Sequence, residues 1–259
     1  MTTVTTDHVS TSHAPAGPFE RVWAVVKLNL ANPWTTIILP WMILGFIFII
    51  NYAIWLIIYN AIDGSDRADA ADGFGYSGAS LYIFVYMLVV AVQSMNLTFA
   101  FALGYGVTRR DFYLGTALTF VLLSAMYAIG MGILAAVEEA TNGWGVNGRM
   151  FTAIYFGDGP WFERIWIFFV AFLFFFFVGA VAGSIYVRWK SNGIVAFFAG
   201  LAVLLVGVAA LFTFTNSWPA FAQFFVTWGF LGSFSWSLVL TAIAGVAGFF
   251  VLRRATPKS

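Results

Sequence analysis

Residues 165–187 read IWIFFVAFLFFFFVGAVAGSIYV, a stretch in which no side chain carries a charge. A helix crossing the ~30 Å hydrocarbon layer of a membrane needs about 20 such residues, and this stretch supplies them without interruption. Working outward, residues 35–60, 80–104, 114–137, 194–214 and 229–252 have the same character, giving six candidate spans. The runs are continuous and lack the period-two alternation of lipid-facing strands, so helices are expected rather than a barrel. The composition agrees. At 61% hydrophobic and 9% charged residues, the chain has too few charges to cover so much apolar surface with a water-soluble exterior. The expected fold is therefore an all-α integral membrane protein with six transmembrane helices in a domain covering residues 35–252.

The charges set the orientation. With the N-terminus inside, Arg21, Lys27, Arg109, Arg110, Arg188, Lys190, Arg253, Arg254 and Lys258 are inside, and Arg67, Arg149 and Arg164 outside. Inner loops carry the excess of Lys and Arg in membrane proteins, so both termini are expected in the cytoplasm. Residues 1–18 are rich in Thr, Ser, Ala and Pro and contain no Lys or Arg, which predicts a disordered cytoplasmic tail rather than a secretory signal. Residues 253–259 are read as a second cytoplasmic tail. Phe19, Val22, Trp23, Val26 and Leu30 repeat at helical spacing, predicting an amphipathic helix over 19–31 in the inner membrane interface, which Asn32-Pro33 turns into the bilayer. The charge-free connection after the fifth span opens on Asn216-Ser217-Trp218-Pro219, a helix-start pattern, followed by Phe221, Phe224, Phe225 and Trp228. It predicts a short re-entrant helix facing protein rather than lipid, between spans five and six.

Several chemistries are excluded. Without cysteine there is no disulfide, thiol nucleophile or thiolate metal site, and His8 and His13 both lie in the tail, so no metal ligand set is expected within the membrane. A net charge of +1 with no basic stripe argues against a nucleic-acid partner. No GxxxxGK[ST], HExxH or GxSxG is present, and no catalytic residue is assigned. Asp63, Asp66, Asp69 and Asp72 lack the ligand alternation of a calcium loop and read as a solvated loop. Residues 138–164 mix Gly with aromatics and suggest a cap on the outer interface, with Glu138 and Glu139 read as hydrated groups at the end of the third span, or, for one that is buried, as a proton or cation site. Gln93 and Asn96, three apart in the second span, are the best polar pair at membrane depth, suited to helix packing or to a substrate path. Gly179 and Gly183, and more weakly Ala244 and Gly248, have the spacing for close helix approach.

The inner loop between the second and third spans carries most information. It reads LGYGVTRRDFYLGT over Leu103–Thr116, with Thr108 and Asp111 spaced as an N-cap and its N3 acid. A helix should start there and present Arg109 and Arg110 at the membrane surface, either as a positive-inside anchor or as a docking element. This stretch resembles the Gly-hydrophobic-Ser/Thr-Arg-Arg segment of membrane subunits of ATP-binding-cassette exporters of the type-2 family. The order of interfacial helix, six spans, inner loop and re-entrant segment resembles that family as well.

The resemblance implies a permease subunit, not an enzyme in itself. Val107, Thr108, Arg109, Arg110 and Asp111 would form a coupling helix docking into a separate ATPase subunit. That partner would hold the ATP and Mg²⁺, with no cofactor bound by this chain. A second permease subunit, identical or different, would complete a dimer in the bacterial cytoplasmic (inner) membrane. The loop at 138–164 departs from many relatives. Uncharged mid-span residues suit an apolar or amphipathic cargo. Two other readings are a non-transporting accessory or scaffold subunit, and a channel suggested by Gly104-Tyr105-Gly106, although the filter pattern and its usual membrane side do not fit.

Overall fold

A computed structural model describes residues 17–62 and 73–255. The aspartate loop and the outer parts of both tails lie outside these residues. The described residues form helices joined by turns, without strands: α1 (Pro18–Asn29), α2 (Trp34–Ala61), α3 (Leu81–Gly104), α4 (Arg109–Ala140), α5 (Trp161–Phe214) and α6 (Trp218–Arg253). Five of them, α2 to α6, are long and apolar enough to cross a membrane. The protein is an all-helical, membrane-embedded chain.

The fourth and fifth predicted spans belong to one 54-residue element, α5, broken at Lys190 (φ 56°, ψ −148°). This combination is almost confined to glycine, and a residue with a β-carbon adopts it at a cost of about 1–3 kcal/mol. The bend is sharp. A β-carbon on Gly193 would lie 3.3 Å from the carbonyl oxygen of Ile185, although eight residues of straight helix rise about 12 Å. α6 bends similarly at Gly229 (φ 61°), which brings the Phe224 and Trp236 rings to 6.3 Å.

Close approach explains how the spans pack. α5 meets α3 at the predicted glycine pair: a β-carbon on Gly179 would be 2.8 Å from Ala91 Cβ, and one on Gly183 would be 2.7 Å from Met95 Cβ. Such distances are far inside van der Waals contact, so only glycine lets the two backbones come this near. In α6 the close packing involves Gly245 against Phe177 and Gly248 against Tyr113. Around the seam, Phe84, Phe120, Tyr127, Phe172 and Phe176 form a fully buried aromatic core, with Phe120 and Phe176 stacked at 4.8 Å.

α1 packs against α4 through one face and leaves its aromatic residues uncovered by the chain. Val25, Val26 and Asn29 are buried, whereas Phe19 (71% exposed) and Trp23 point away. The cause is α4. Its Gly115 offers a seat for Val25 and the Val22 carbonyl, and Thr116 Oγ1 accepts from Asn29 Nδ2 at 3.1 Å. Asp111 draws in Arg21, Nε to Oδ2, at 3.0 Å. Small and polar groups on α4 thus select the face of α1 that packs on the bundle.

Pro40 shapes the start of α2. It has no N–H to serve the carbonyl one turn before it, and the preceding Trp34–Ile38 turn has π-helical hydrogen bonding. Two tyrosines satisfy carbonyls of this turn: Tyr127 OH donates to Thr36 O at 2.6 Å and Tyr86 OH to Thr35 O at 3.0 Å. Because Tyr127 is well along α4, α2 starts partway up the bundle and climbs beside the loop that follows α4. Phe48 lies 4.7 Å from Trp144, and Trp55 is buried beneath Gly148 and Phe74.

Candidate functional site

At the end of the bundle that carries Arg21 and Arg253, α3 stops at Gly104 and the chain turns through Gly106 (φ 78°) into α4. Thr108 is the N-cap, with φ −71° and ψ 150°, and its Oγ1 accepts from Asp111 N at 3.1 Å. The predicted cap is therefore present, but Asp111 is not available as a contact. It is buried and paired with Arg21. Arg109 is also engaged: its guanidinium donates to the backbone oxygen of Arg253 at 2.8 Å, tying the start of α4 to the end of α6. Thr108 and Arg110 are exposed, and Val107 is half-buried against the core. Arg109, Arg110, Phe249 and Arg253 line a cavity of about 500 Å³.

Gln93 and Asn96 border and occupy a π-helical turn, Ser94–Thr98, in α3. Gln93 is exposed and Asn96 half-buried, and neither side chain hydrogen-bonds to another among the described residues. They do not join the arginine cluster. Tyr105, within the Gly-Tyr-Gly triplet, is exposed at the end of α3.

The opposite end holds an arrangement that the sequence reading missed. Glu138 is buried, not hydrated. Its Oε1 accepts from Thr152 N at 2.8 Å and Thr152 Oγ1 at 2.6 Å. Its Oε2 accepts from Trp144 Nε1 at 2.9 Å and Met150 N at 3.0 Å. The Phe151 N–H is shared between both oxygens, at 3.1 and 3.2 Å. An ionised carboxylate accepts only, so a ring composed solely of donors matches it. Next along the helix, Glu139 Oε1 pairs with the buried guanidinium of Arg164 at 2.6 Å. These groups, with Asn142, Asn147, Arg149 and Asp158, line a polar cavity of about 330 Å³.

Local backbone makes this possible. Asn142, Gly143, Trp144, Gly145 and Asn147 all have positive φ, and the turn is closed by Gly148 N donating to Gly143 O at 2.9 Å. Asn-Gly pairs at 142–143 and 147–148 are the signal that favours such turns, and they stand directly after Glu138-Glu139. The left-handed turn swings 150–152 back so that three successive N–H groups face one carboxylate. Below it, Tyr155 OH bonds Ser80 Oγ at 3.1 Å, and burial pushes this phenol above its ordinary pKa.

Neither end pairs a nucleophile with a base, and no group of three His, Cys, Asp or Glu is placed to hold a metal among the described residues. The ring of donors around Glu138 can fix a loop; the end that carries Arg109 and Arg253 can receive an anionic group. No protein-family model, curated protein or solved structure matches the chain.

Proposed function

We propose that the chain is the membrane (permease) subunit of an ATP-binding-cassette transporter of the type-2 family, an exporter of apolar or amphipathic cargo. In this reading the two arms of α5 on either side of Lys190 are separate spans. With α2, α3, α4 and the long arm of α6 they make six. The short arm of α6, Trp218–Trp228, is the re-entrant segment. Its aromatic residues are mostly exposed within the single chain, so the protein face expected to cover it would come from a second permease subunit. Both termini and the 103–116 turn are in the cytoplasm of a bacterial cell. There an ATPase subunit holding ATP and Mg²⁺ docks.

The observation that carries the reading is the Thr108-capped start of α4, which leaves the exposed Arg110 on a helix fastened to both α1 and α6. Arg21 grips Asp111, and Arg109 grips the end of α6, so force applied at Arg110 reaches three helices at once. A coupling element must contact its partner differently in two states if ATP is to shift the equilibrium, and this rigid junction suits that role.

The test uses the full tagged chain in its native membrane, with ATPase co-purification as the readout. Arg110→Glu, which breaks no hydrogen bond among the described residues, is expected to cut co-purification by at least about tenfold, or about 1.4 kcal/mol. Membrane insertion stays unchanged. An ATPase that co-purifies equally with the variant, or an epitope at residue 106 reached from outside intact cells, overturns the proposal.

A further inference from the structure

The arginines around the inner cavity have a second consequence, independent of any ATPase. Two ion pairs are formed among the described residues, Arg21 with Asp111 and Arg164 with Glu139. Neither includes Arg109, Arg110 or Arg253. The one acid in the first turn of α4 is already taken by Arg21, so the three guanidiniums lining the cavity of about 500 Å³ have no carboxylate partner among the described residues. Arg109 spends one N–H on the Arg253 carbonyl, which sets its guanidinium rather than neutralising it. The fourth lining residue, Phe249, is apolar and packs edge-on against Tyr113 at 5.5 Å. The cavity thus joins a cationic rim to an apolar wall, at the end of two apolar helices.

We infer that this cavity binds a phosphate-bearing anion, with an anionic phospholipid headgroup as its occupant. Guanidinium forks match phosphate oxygens in planar, two-pronged fashion. Basic pockets between membrane helices on the cytoplasmic side take phospholipid headgroups. Phe249 gives the acyl chains an apolar surface beside the cationic rim. A headgroup there would bridge α4 to α6 and support the junction already made by Arg109.

The experiment uses the full chain, purified alone in detergent, so that the ATPase proposal can fail without touching this one. After reconstitution into vesicles of phosphatidylcholine and phosphatidylglycerol in equal parts, the lipid retained on re-extraction is measured by native mass spectrometry. Phosphatidylglycerol is expected to be retained preferentially. Arg110→Gln with Arg253→Gln should reduce that preference roughly thirtyfold, at about a factor of five for each arginine near an anionic headgroup. Neither side chain makes a hydrogen bond among the described residues, and thermal unfolding in detergent confirms that the variant is folded. Lys27→Gln with Arg188→Gln removes two other cations and should leave the preference within threefold of wild type. A second arm adds inorganic phosphate to lipid-free protein. Protection from thermal unfolding by phosphate, lost in the arginine variant and unaccompanied by any lipid preference, would keep the anion site but assign it to soluble phosphate esters. Equal retention of both lipids together with no effect of phosphate overturns the inference. So does an equal loss in the two variants.

Discussion

Replacing Glu138 by Gln tests whether one carboxylate holds the loop that follows α4. A Gln carbonyl placed at the Oε1 position can still accept from Thr152 N and Thr152 Oγ1, now 2.8 and 2.6 Å from that oxygen. Its amide would face the Trp144 indole N–H, 2.9 Å from Oε2, as donor against donor. Met150 N and Phe151 N, which are shared between the two oxygens, would each keep only the 3.1 Å share to Oε1. One buried donor is stranded outright and two are half-served, at about 1–3 kcal/mol for each stranded group. Water from the adjoining cavity offsets part of this, leaving about 2 kcal/mol, or roughly thirtyfold in the population of the opened loop. The chain has no cysteine, so Met150→Cys places a single thiol at a fully buried position. Its labelling rate by a maleimide in detergent reads the opening equilibrium when reclosure outpaces labelling. Glu138→Gln in this background should label about thirtyfold faster, with less than threefold refuting the reasoning. In a Trp144→Phe background the same substitution should cost about 1 kcal/mol less, because the opposed donor is gone.

Two further outcomes follow from buried hydroxyls. Tyr127→Phe removes the donor to Thr36 O and should destabilise the chain by about 1–2 kcal/mol in thermal unfolding. In a Pro40→Ala background, where residue 40 regains an N–H, most of that cost should vanish; an equal cost in both backgrounds would show that Pro40 is not the reason the carbonyl needs Tyr127. The Tyr155 phenol, raised by burial from its ordinary 10.0, contributes stability that is fully present below pH 10. That stability is lost as pH rises through the folded value, since the unfolded chain ionises first. Labelling of the thiol in the Met150→Cys variant should therefore accelerate above pH 10, beyond the reagent's own pH dependence, and Tyr155→Phe should remove the extra acceleration.

The parts of this fold legible in the sequence are those governed by local rules. Continuous apolar runs marked the membrane helices, Thr108 capped α4 as its spacing required, and the Gly179/Gly183 pair did admit α3. The Asn216–Pro219 pattern did open α6 at Trp218. What was not legible depends on neighbours far along the chain. The buried face of α1 is decided by Gly115, Thr116 and Asp111, some ninety residues away, and no periodicity within 19–31 reports on them. The six residues between Val187 and Ile194 read as an inner loop, but helical hydrogen bonding continues up to and beyond a single left-handed Lys190. Glu138 read as hydrated because a helix-end carboxylate usually is. Its burial follows from the left-handed turn at 142–147, which the Asn-Gly pairs signalled without saying where residues 150–152 would go.

The two polar ends differ in a way that bears on where ligands act. At the Glu138 end the charges are largely used internally: Glu138 is ringed by donors, and Glu139 neutralises the buried Arg164. Taking a ligand into contact with Glu138 would mean breaking bonds of about 1.5–3 kcal/mol each. At the Arg109 end one ion pair consumes the nearby acid, and three guanidiniums are left around a cavity. Like charges held this close repel one another, so any anion entering relieves repulsion as well as forming its own bonds. The arginine junction is therefore the place where an external group can add the most stabilisation. A phospholipid headgroup and an ATPase surface would compete for Arg110 but not for Arg253. If both proposals hold, Arg253→Gln should weaken lipid retention while leaving ATPase co-purification intact, and loss of both together would mean that the two partners share one site.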